Sequence, residues 1–376
     1  MVNEQRLLDT FLELVQTNSE SGNEGHIQAQ LKGKFEALGL SVVEDQASQN
    51  QNLGANNLIC TLPSTIDNKE IDKVYFTSHM DTVVPGIDIK PQIKDDGYIY
   101  SDGTTILGAD DKAGLAAILE ALAVIHENKL PHGQLQFVIT VGEEIGLEGA
   151  KALPADLLDS NFGYAVDASA PVGTTVVGAP TQMKFDATIY GKTAHASVPD
   201  KGISAINIAA KAVSDMKLGR IDEVTTANIG RFEGGSATNI VADKVTLKAE
   251  ARSHSDERIG QQIEHMKSVV ENTVKRYGTN ADIEITKSYP GFKVAEDAKV
   301  TEIAKESAIQ LGLAADTIIA GGGSDGNIIN GLGIPTVILG VGYENIHTTS
   351  ERMPITSLNQ LSQQILKIIE IVTNNK

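Results

Sequence analysis

The chain contains no tryptophan and a single cysteine, Cys60, among 376 residues. One cysteine excludes an intrachain disulfide and fits a reducing compartment. Basic residues are scarce as well: 31 Lys and Arg face 49 Asp and Glu, a formal charge of −18. Phosphate backbones and anionic membrane surfaces repel such a chain, so neither nucleic acid nor membrane is an expected partner. Long apolar runs are missing too, and none approaches the roughly 18 residues that a membrane span needs. The opening MVNEQRLLDTFLELV is broken by Glu4, Arg6, Asp9 and Glu13 and does not read as a signal peptide, so a cytoplasmic location is expected. At roughly 150 residues per domain, the length suggests two domains or one with an insertion.

What is present alternates in type. Leu7, Leu8, Phe11, Leu12 and Val15 recur at helical spacing, as do Ile27, Leu31, Phe35 and Leu38. Short β-branched apolar runs at 41–43, 58–62, 74–77, 135–141 and 164–166 read as strands. Between them, 112–128 is an alanine-rich helix. This alternation predicts an α/β domain with helices on both faces of a sheet. From about Gly178 the order changes to strand 184–190, helix 205–216, strand 226–232, strand 244–253, helix 256–277 and strand 282–289. That is the β-α-β-β-α-β, ferredoxin-like unit. Helix 299–311, strand 336–339 and helix 358–372 then resume the first rhythm. The expected domains are therefore 1–177 with 291–376, interrupted by an inserted domain over 178–290.

Polar residues gather where strands end. The strand that begins at Val74 runs into His79-Met-Asp81, where Asp81 is placed to hold the far ring nitrogen of His79 while the near one binds a metal. A turn histidine beside a capping aspartate is the plainer alternative. GADDKAG puts Asp110 and Asp111 at a helix start, either as caps or with one carboxylate bridging two metal ions. An apolar strand then ends in Gly142-Glu143-Glu144, where one carboxylate can bind metal and the other accept a proton from water. Asp167 closes a further strand, and His347 lies in a loop near the C-terminus. Each falls at a strand end or loop of one α/β domain, where such sites assemble.

The ordered series SHMDTV, GADDKAG, GEEIG, a strand-end aspartate, GKTAHAS and IHTTSE resembles the di-zinc amidohydrolase-type metallopeptidases. That family includes peptidase T, aminoacylases, glutamate carboxypeptidase and succinyl-diaminopimelate desuccinylase. The resemblance spans the chain and is strongest toward the peptidase T branch. It implies a mixed-sheet di-zinc peptidase domain with the inserted ferredoxin-like domain as a lid. It also implies two Zn2+ per chain, with Co2+ or Mn2+ as substitutes. Carried over residue by residue, His79 and Asp167 would hold one ion and Glu144 and His347 the other, with Asp110 bridging. Glu143 would be the general base and acid, and Asp81 would orient His79. A cis peptide between Asp110 and Asp111 is implied as well.

In the inserted domain the resemblance makes His195 of GKTAHAS an oxyanion donor, although a turn histidine is the plain reading. Asn239 and Arg252 would contact the substrate backbone or a carboxylate, for which the arginine fork is suited. An exposed strand arginine remains the alternative for Arg252. The run Gly321-Gly322-Gly323 lacks the lysine of a phosphate loop and would form a backbone wall of the substrate cleft. Peptidase T sequences carry arginine where this chain has Gly321. The implied substrate is a short peptide cut as by a tripeptidase or aminopeptidase. An N-acyl amino acid deacylase or carboxypeptidase would use the same chemistry. The inserted domain offers free edges for a homodimer, in which His195 would serve the neighbouring site.

Overall fold

Four apolar segments, Val74–His79, Leu135–Thr140, Phe162–Ala168 and Thr336–Gly340, carry no charged side chain except at their ends, His79 and Asp167. In the computed structural model, which describes residues 1–67 and 70–374, these segments are the adjacent central strands of one sheet. Their order is Leu135–Thr140, Val74–His79, Phe162–Ala168, Thr336–Gly340, and each neighbouring pair is parallel. Antiparallel strands flank them: Leu58–Leu62 and Ser41–Glu44 on one side and Thr175–Ala179 on the other. The sheet is therefore mixed. Because the four central strands run the same way, the segments that follow them emerge at one edge.

Both faces of this sheet are apolar, as buried parallel strands require. On one face Phe76 lies in register with Phe137 and Tyr164, with ring centroids 5.8 and 5.4 Å away. Phe35 of helix Gly25–Ala37 stacks on Phe137 at 6.2 Å. Alternation turns Tyr75 and Val138 to the other face, into a cluster with Ile59, Leu153, Leu158 and Ile329. Helix Ala109–Asn128 is buried along nearly its whole length and packs against helices Glu4–Val15 and Ile355–Asn374. Its alanines allow that close approach on every side. Asp110 and Asp111 have non-helical backbone angles, so regular helix begins only after Asp111, where the alanine-rich run does.

Contacts divide the chain into two units. One comprises Met1–Gly178, Lys293–Ala320 and the chain from Ser324 onward; the other comprises Ala179–Phe292 with Gly321–Gly323. The second unit orders its strands Gly219–Arg220, Thr225–Gly234, Lys244–Ser253, Thr181–Tyr190 and Ala281–Tyr289, all antiparallel. Its helices Ala205–Asp215 and Asp256–Arg276 start on Ser204 and Ser255, whose hydroxyls accept main-chain N–H groups. They bury Ile208, Ala212, Ile263 and Met266 against Phe185, Ile189 and Leu247 of the sheet. This is the β-α-β-β-α-β order with an edge strand of two residues added. The small sheet of Arg352–Pro354, Tyr98–Tyr100 and Gln92–Ile93 is likewise invisible in the sequence, because two or three residues carry no periodicity. Among the described residues no helix is long and apolar enough to cross a membrane.

A candidate dinuclear metal centre

The parallel strands deliver the site to one edge of the larger unit. His79 is the last residue of its strand, Glu143 and Glu144 follow Thr140, Asp167 precedes the end of its strand, and His347 lies in the loop after Gly340. Asp110 comes with the first residues of helix Ala109–Asn128. The peptide bond between Asp110 and Asp111 is cis.

Asp110 lies between the two histidines. Its Oδ1 is 3.1 Å from His79 Nε2, and its Oδ2 is 3.3 Å from His347 Nε2. Asp167 Oδ1 adds an oxygen on the His79 side at 3.7 Å, and Glu144 Oε1 adds one on the His347 side at 3.0 Å. Two groups of one nitrogen and two oxygens thus share a single aspartate. Two donors held roughly 2.1 Å from one zinc ion at a tetrahedral angle stand about 3.4 Å apart. The four separations scatter around that value.

The proton on His79 can be placed. Its Nδ1 is 3.0 Å from the main-chain carbonyl of Asp81 and 3.4 Å from Asp81 Oδ1. A carbonyl only accepts, so Nδ1 carries the hydrogen and the Nε2 lone pair faces Asp110 and Asp167. A lone pair aimed at two carboxylate oxygens requires a cation or a second proton between them, and this chemistry fits a metal. Asp81 thus meets the His79 ring through both its carbonyl and its carboxylate, and the carbonyl is the nearer of the two. The Asp81 carboxylate also accepts N–H bonds from Glu143 at 3.0 Å and Glu144 at 3.2 Å, and the Ser21 hydroxyl at 2.6 Å. It holds the main chain of the two glutamates.

Charge crowds this edge. Burial raises the carboxyl pKa of Glu143 well above the usual range, and raises those of Glu144 and Asp167 as well. Asp110 goes the other way: burial opposes ionisation, but His347 and His79 outweigh it and lower its pKa. Hydrogen bonds to Asp110 and Glu144 push the half-exposed His347 up to about 10. His79 is raised well above its ordinary value, since Asp110, Asp167 and Asp81 overcome its burial. Protein groups alone therefore leave the carboxylates short of positive charge, and protons take the place that divalent cations would fill.

Sequence reasoning missed the residues that hold this set. Tyr343 donates to Asp167 Oδ1 at 2.9 Å. The buried Lys112 donates to Ser19 Oγ at 2.7 Å and to the Met80 carbonyl at 2.8 Å, between His79 and Asp81 in sequence; burial brings its pKa down to about 8. Ser78 donates to Asp111, and Thr140 donates to the buried Asp325, whose carboxyl burial lifts to about 7. Glu351 accepts three main-chain N–H bonds. Lys112, Asp325 and Glu351 each lie in or beside a motif already singled out, and that proximity was the available signal. The glycine of GADDKAG also finds its reason: a Cβ at Gly114 would sit 2.6 Å from both Asp111 carboxylate oxygens and 2.7 Å from the Val166 carbonyl.

The inserted unit holds its candidates in two groups. His195 is exposed; its Nδ1 accepts the Ser197 N–H at 3.2 Å and lies 2.8 Å from Ser197 Oγ. An N–H only donates, so the neutral ring carries its hydrogen on Nε2. Asn239 is beside it, accepting the Ala196 N–H at its main-chain oxygen at 3.0 Å. Arg252 donates from Nε to Glu250 at 2.8 Å and from Nη1 to the Gly321 carbonyl at 3.4 Å. Gly323 lies against Tyr289, whose ring atoms a Cβ there would meet at 2.5 Å.

A mixed α/β sheet with two histidines converging on one shared aspartate defines a hydrolase of the metallopeptidase kind. Residues 75–371 match peptidase family M20/M25/M40, and the chain belongs to that family. It is similar to the structure of a tripeptidase from Staphylococcus aureus subsp. aureus Mu50, with 67% identity, a TM-score of 0.96 and 100% of both chains covered. It is also similar to aminopeptidase PepT from Bacillus cereus ATCC 10987, with 54% identity, a TM-score of 0.90 and 99% of both chains covered. Peptidase T of Brevibacillus brevis is 26% identical over 97% of this chain and 98% of its own length. The YXEP protein of Bacillus subtilis, described as a dinuclear metal binding peptidase, shares the fold at 18% identity and a TM-score of 0.73, with 99% of both chains covered.

Proposed function

We propose that the protein is a cytoplasmic, zinc-dependent exopeptidase that cuts short peptides, tripeptides foremost, at the amide following the N-terminal residue. One observation carries the reading: two nitrogen-and-oxygen groups share Asp110, with Glu143 fixed next to Glu144 by Asp81. The named similarity to a tripeptidase and to PepT supports the substrate class. His79, Asp167 and Asp110 Oδ1 would hold one ion, and His347, Glu144 and Asp110 Oδ2 the other. Zinc suits this donor set, and cobalt or manganese can replace it. When bound, such ions supply Lewis acidity toward a carbonyl and lower the pKa of water.

The chain's own residues do the rest. Glu143 takes the proton from the attacking water and returns it to the leaving amine, so one base serves both halves of the reaction. Asp81 fixes the backbone from which Glu143 projects. His195 carries its hydrogen on Nε2 and donates to the developing oxyanion, in its own chain's site or in that of a second copy paired through the inserted unit. Arg252, Asn239 and the backbone at Gly323 bind the substrate.

The test is metal content together with tripeptide hydrolysis for the wild type and Glu143→Gln. The variant should keep two ions per chain and lose about 10²- to 10⁴-fold in rate. A variant that hydrolyses tripeptides normally would remove Glu143 from the mechanism. If the wild type cleaves N-acetyl amino acids and spares tripeptides, the substrate class is wrong while the centre stands.

A further inference from the structure

The loop that carries His347 needs something to hold it. His347 has φ of +62° and Asn345 has φ of +57°, a left-handed conformation uncommon outside glycine, though Asn and His take it more readily than other residues. The His347 side chain is half exposed, and among the described residues its ring bonds to the acidic groups it would share with a cation, Glu144 and Asp110. The constraint must come from elsewhere in the loop.

Four residues on, Glu351 is 1% exposed. Its Oε2 accepts the N–H groups of Leu107 and Gly108, both at 2.8 Å, and its Oε1 accepts the N–H of Asp110 at 3.0 Å. Those three donors belong to the turn that presents Asp110. Glu351 is in turn tied to His347's neighbour by its own N–H, which donates to the Thr348 carbonyl at 3.1 Å. One buried carboxylate thus pins the histidine loop to the aspartate turn. His79 is held differently, by its strand and by the bonds of its ring to Asp81.

We propose that Glu351 is a positioning residue for the His347 half of the centre. It brings His347 Nε2 and Asp110 Oδ2 together before any cation arrives, and it acts on that half selectively. This rests on the dinuclear reading above. Partners of this kind, one step removed from the ligands, are worth about 10- to 100-fold in metal affinity. The amide of Glu351→Gln keeps the shape but sets a donor against at least one of the three N–H groups.

The experiment titrates chelator-treated protein with Zn2+ alone, and with Co2+ as a spectroscopic probe, in the wild type, Glu351→Gln, His347→Ala and the double variant. The wild type should bind two ions. Glu351→Gln should weaken one of them about 10- to 100-fold and leave the other within about threefold. The weakened ion should be the one His347→Ala removes, and the double variant should lose no more at that site than His347→Ala does. Equal weakening of both ions would overturn the proposal, because a general loss of packing would do that. So would two unchanged affinities. A wild type that binds no more than one ion would overturn the dinuclear reading itself, an outcome distinct from either. Should the amide variant not fold, Glu351→Asp keeps the charge, shortens the reach by one carbon and gives the same selective readout.

Discussion

The candidate groups in the two units are held in opposite ways. In the larger unit His79, Asp110, Glu143 and Asp167 are buried or nearly so, and each is tied to main chain or to a neighbouring side chain through strand register or a buried hydrogen bond. In the inserted unit His195 is exposed and is bonded within its own turn, to Ser197. The first arrangement stores charge in a place where water cannot screen it. The second offers a donor at the end of a solvated loop. A defect in the first should therefore register in metal content and folding stability, and a defect in the second only in turnover.

The strongest test of that contrast is chelation. Removing the ions should end hydrolysis and lower Tm, with a pH dependence whose sign follows from the crowded groups. The carboxyls of Glu143, Glu144 and Asp167 have pKa values raised by burial, so the folded chain keeps protons that the unfolded chain gives up. Stability then falls as pH rises above the ordinary carboxyl range of about 4. His347, raised to about 10, adds stability that is whole below its ordinary value of 6.5 and is lost as pH climbs toward 10. Asp110 is lowered and acts only in acid, outside this window. The metal-free protein should thus lose stability from about pH 5 to 8, above which the lowered pKa of Lys112 works in the opposite direction. The gain in Tm on adding Zn2+ should be larger near pH 8 than near pH 5.5, as calorimetry would show. A gain independent of pH would mean that the ions do not replace those protons.

What was readable in advance follows the same division. His79, Glu143, Glu144 and Asp167 end or follow strands whose apolar character is plain in the sequence, so their convergence could be argued from parallel-strand geometry. The bridging place expected of Asp110 rested on the resemblance alone. A helix-start aspartate is a cap as often as a ligand, and only its position between His79 Nε2 and His347 Nε2 separates the two. The supporting residues were out of reach for a different reason. Tyr343 meets Asp167 across 176 positions, and Glu351 meets Asp110 across 241. Contacts at such separations leave no local period to read. The inserted unit was legible as a fold because long amphipathic helices and ten-residue strands carry strong patterns, and its two-residue edge strand was not.

The next largest effect belongs to the exposed side of the comparison. His195→Ala should reduce kcat about 10²- to 10³-fold, the usual cost of one oxyanion donor. Metal content and Tm should stay at wild-type values, since the exposed ring's hydrogen bonds run to Ser197 in its own turn. Mixing this variant with Glu143→Gln separates the two ways His195 can act. Recovery of activity in the mixture means that the donor crosses between copies. A mixture as inactive as its parts means that it serves its own chain. A loss of bound metal in His195→Ala would break the contrast between the units.

The smallest expected effect concerns Arg252. Its guanidinium is already engaged, with Nε and Nη2 on Glu250 at 2.8 and 3.4 Å and Nη1 on the Gly321 carbonyl at 3.4 Å, while Gln182 donates to the same glutamate at 2.5 Å. An arginine held in this way has its fork oriented before a ligand arrives, which limits the entropy lost on binding. It also has one carboxylate neutralising it, which lowers its pull on another. Arg252→Lys keeps the charge and loses the fork. If Arg252 reads the terminal carboxylate of a peptide, KM for a tripeptide should rise about tenfold, the equivalent of about 1.4 kcal/mol, with kcat little changed. The corresponding tripeptide amide, which has no carboxylate to lose, should show no such rise. A structural role predicts something else: Tm falls, and the acid and the amide are affected alike, because the lost bonds are those to Glu250 and Gly321. The paired substrates thus decide whether the Gly321-Gly322-Gly323 run lies beside a carboxylate reader or beside an arginine that holds only the unit's own backbone.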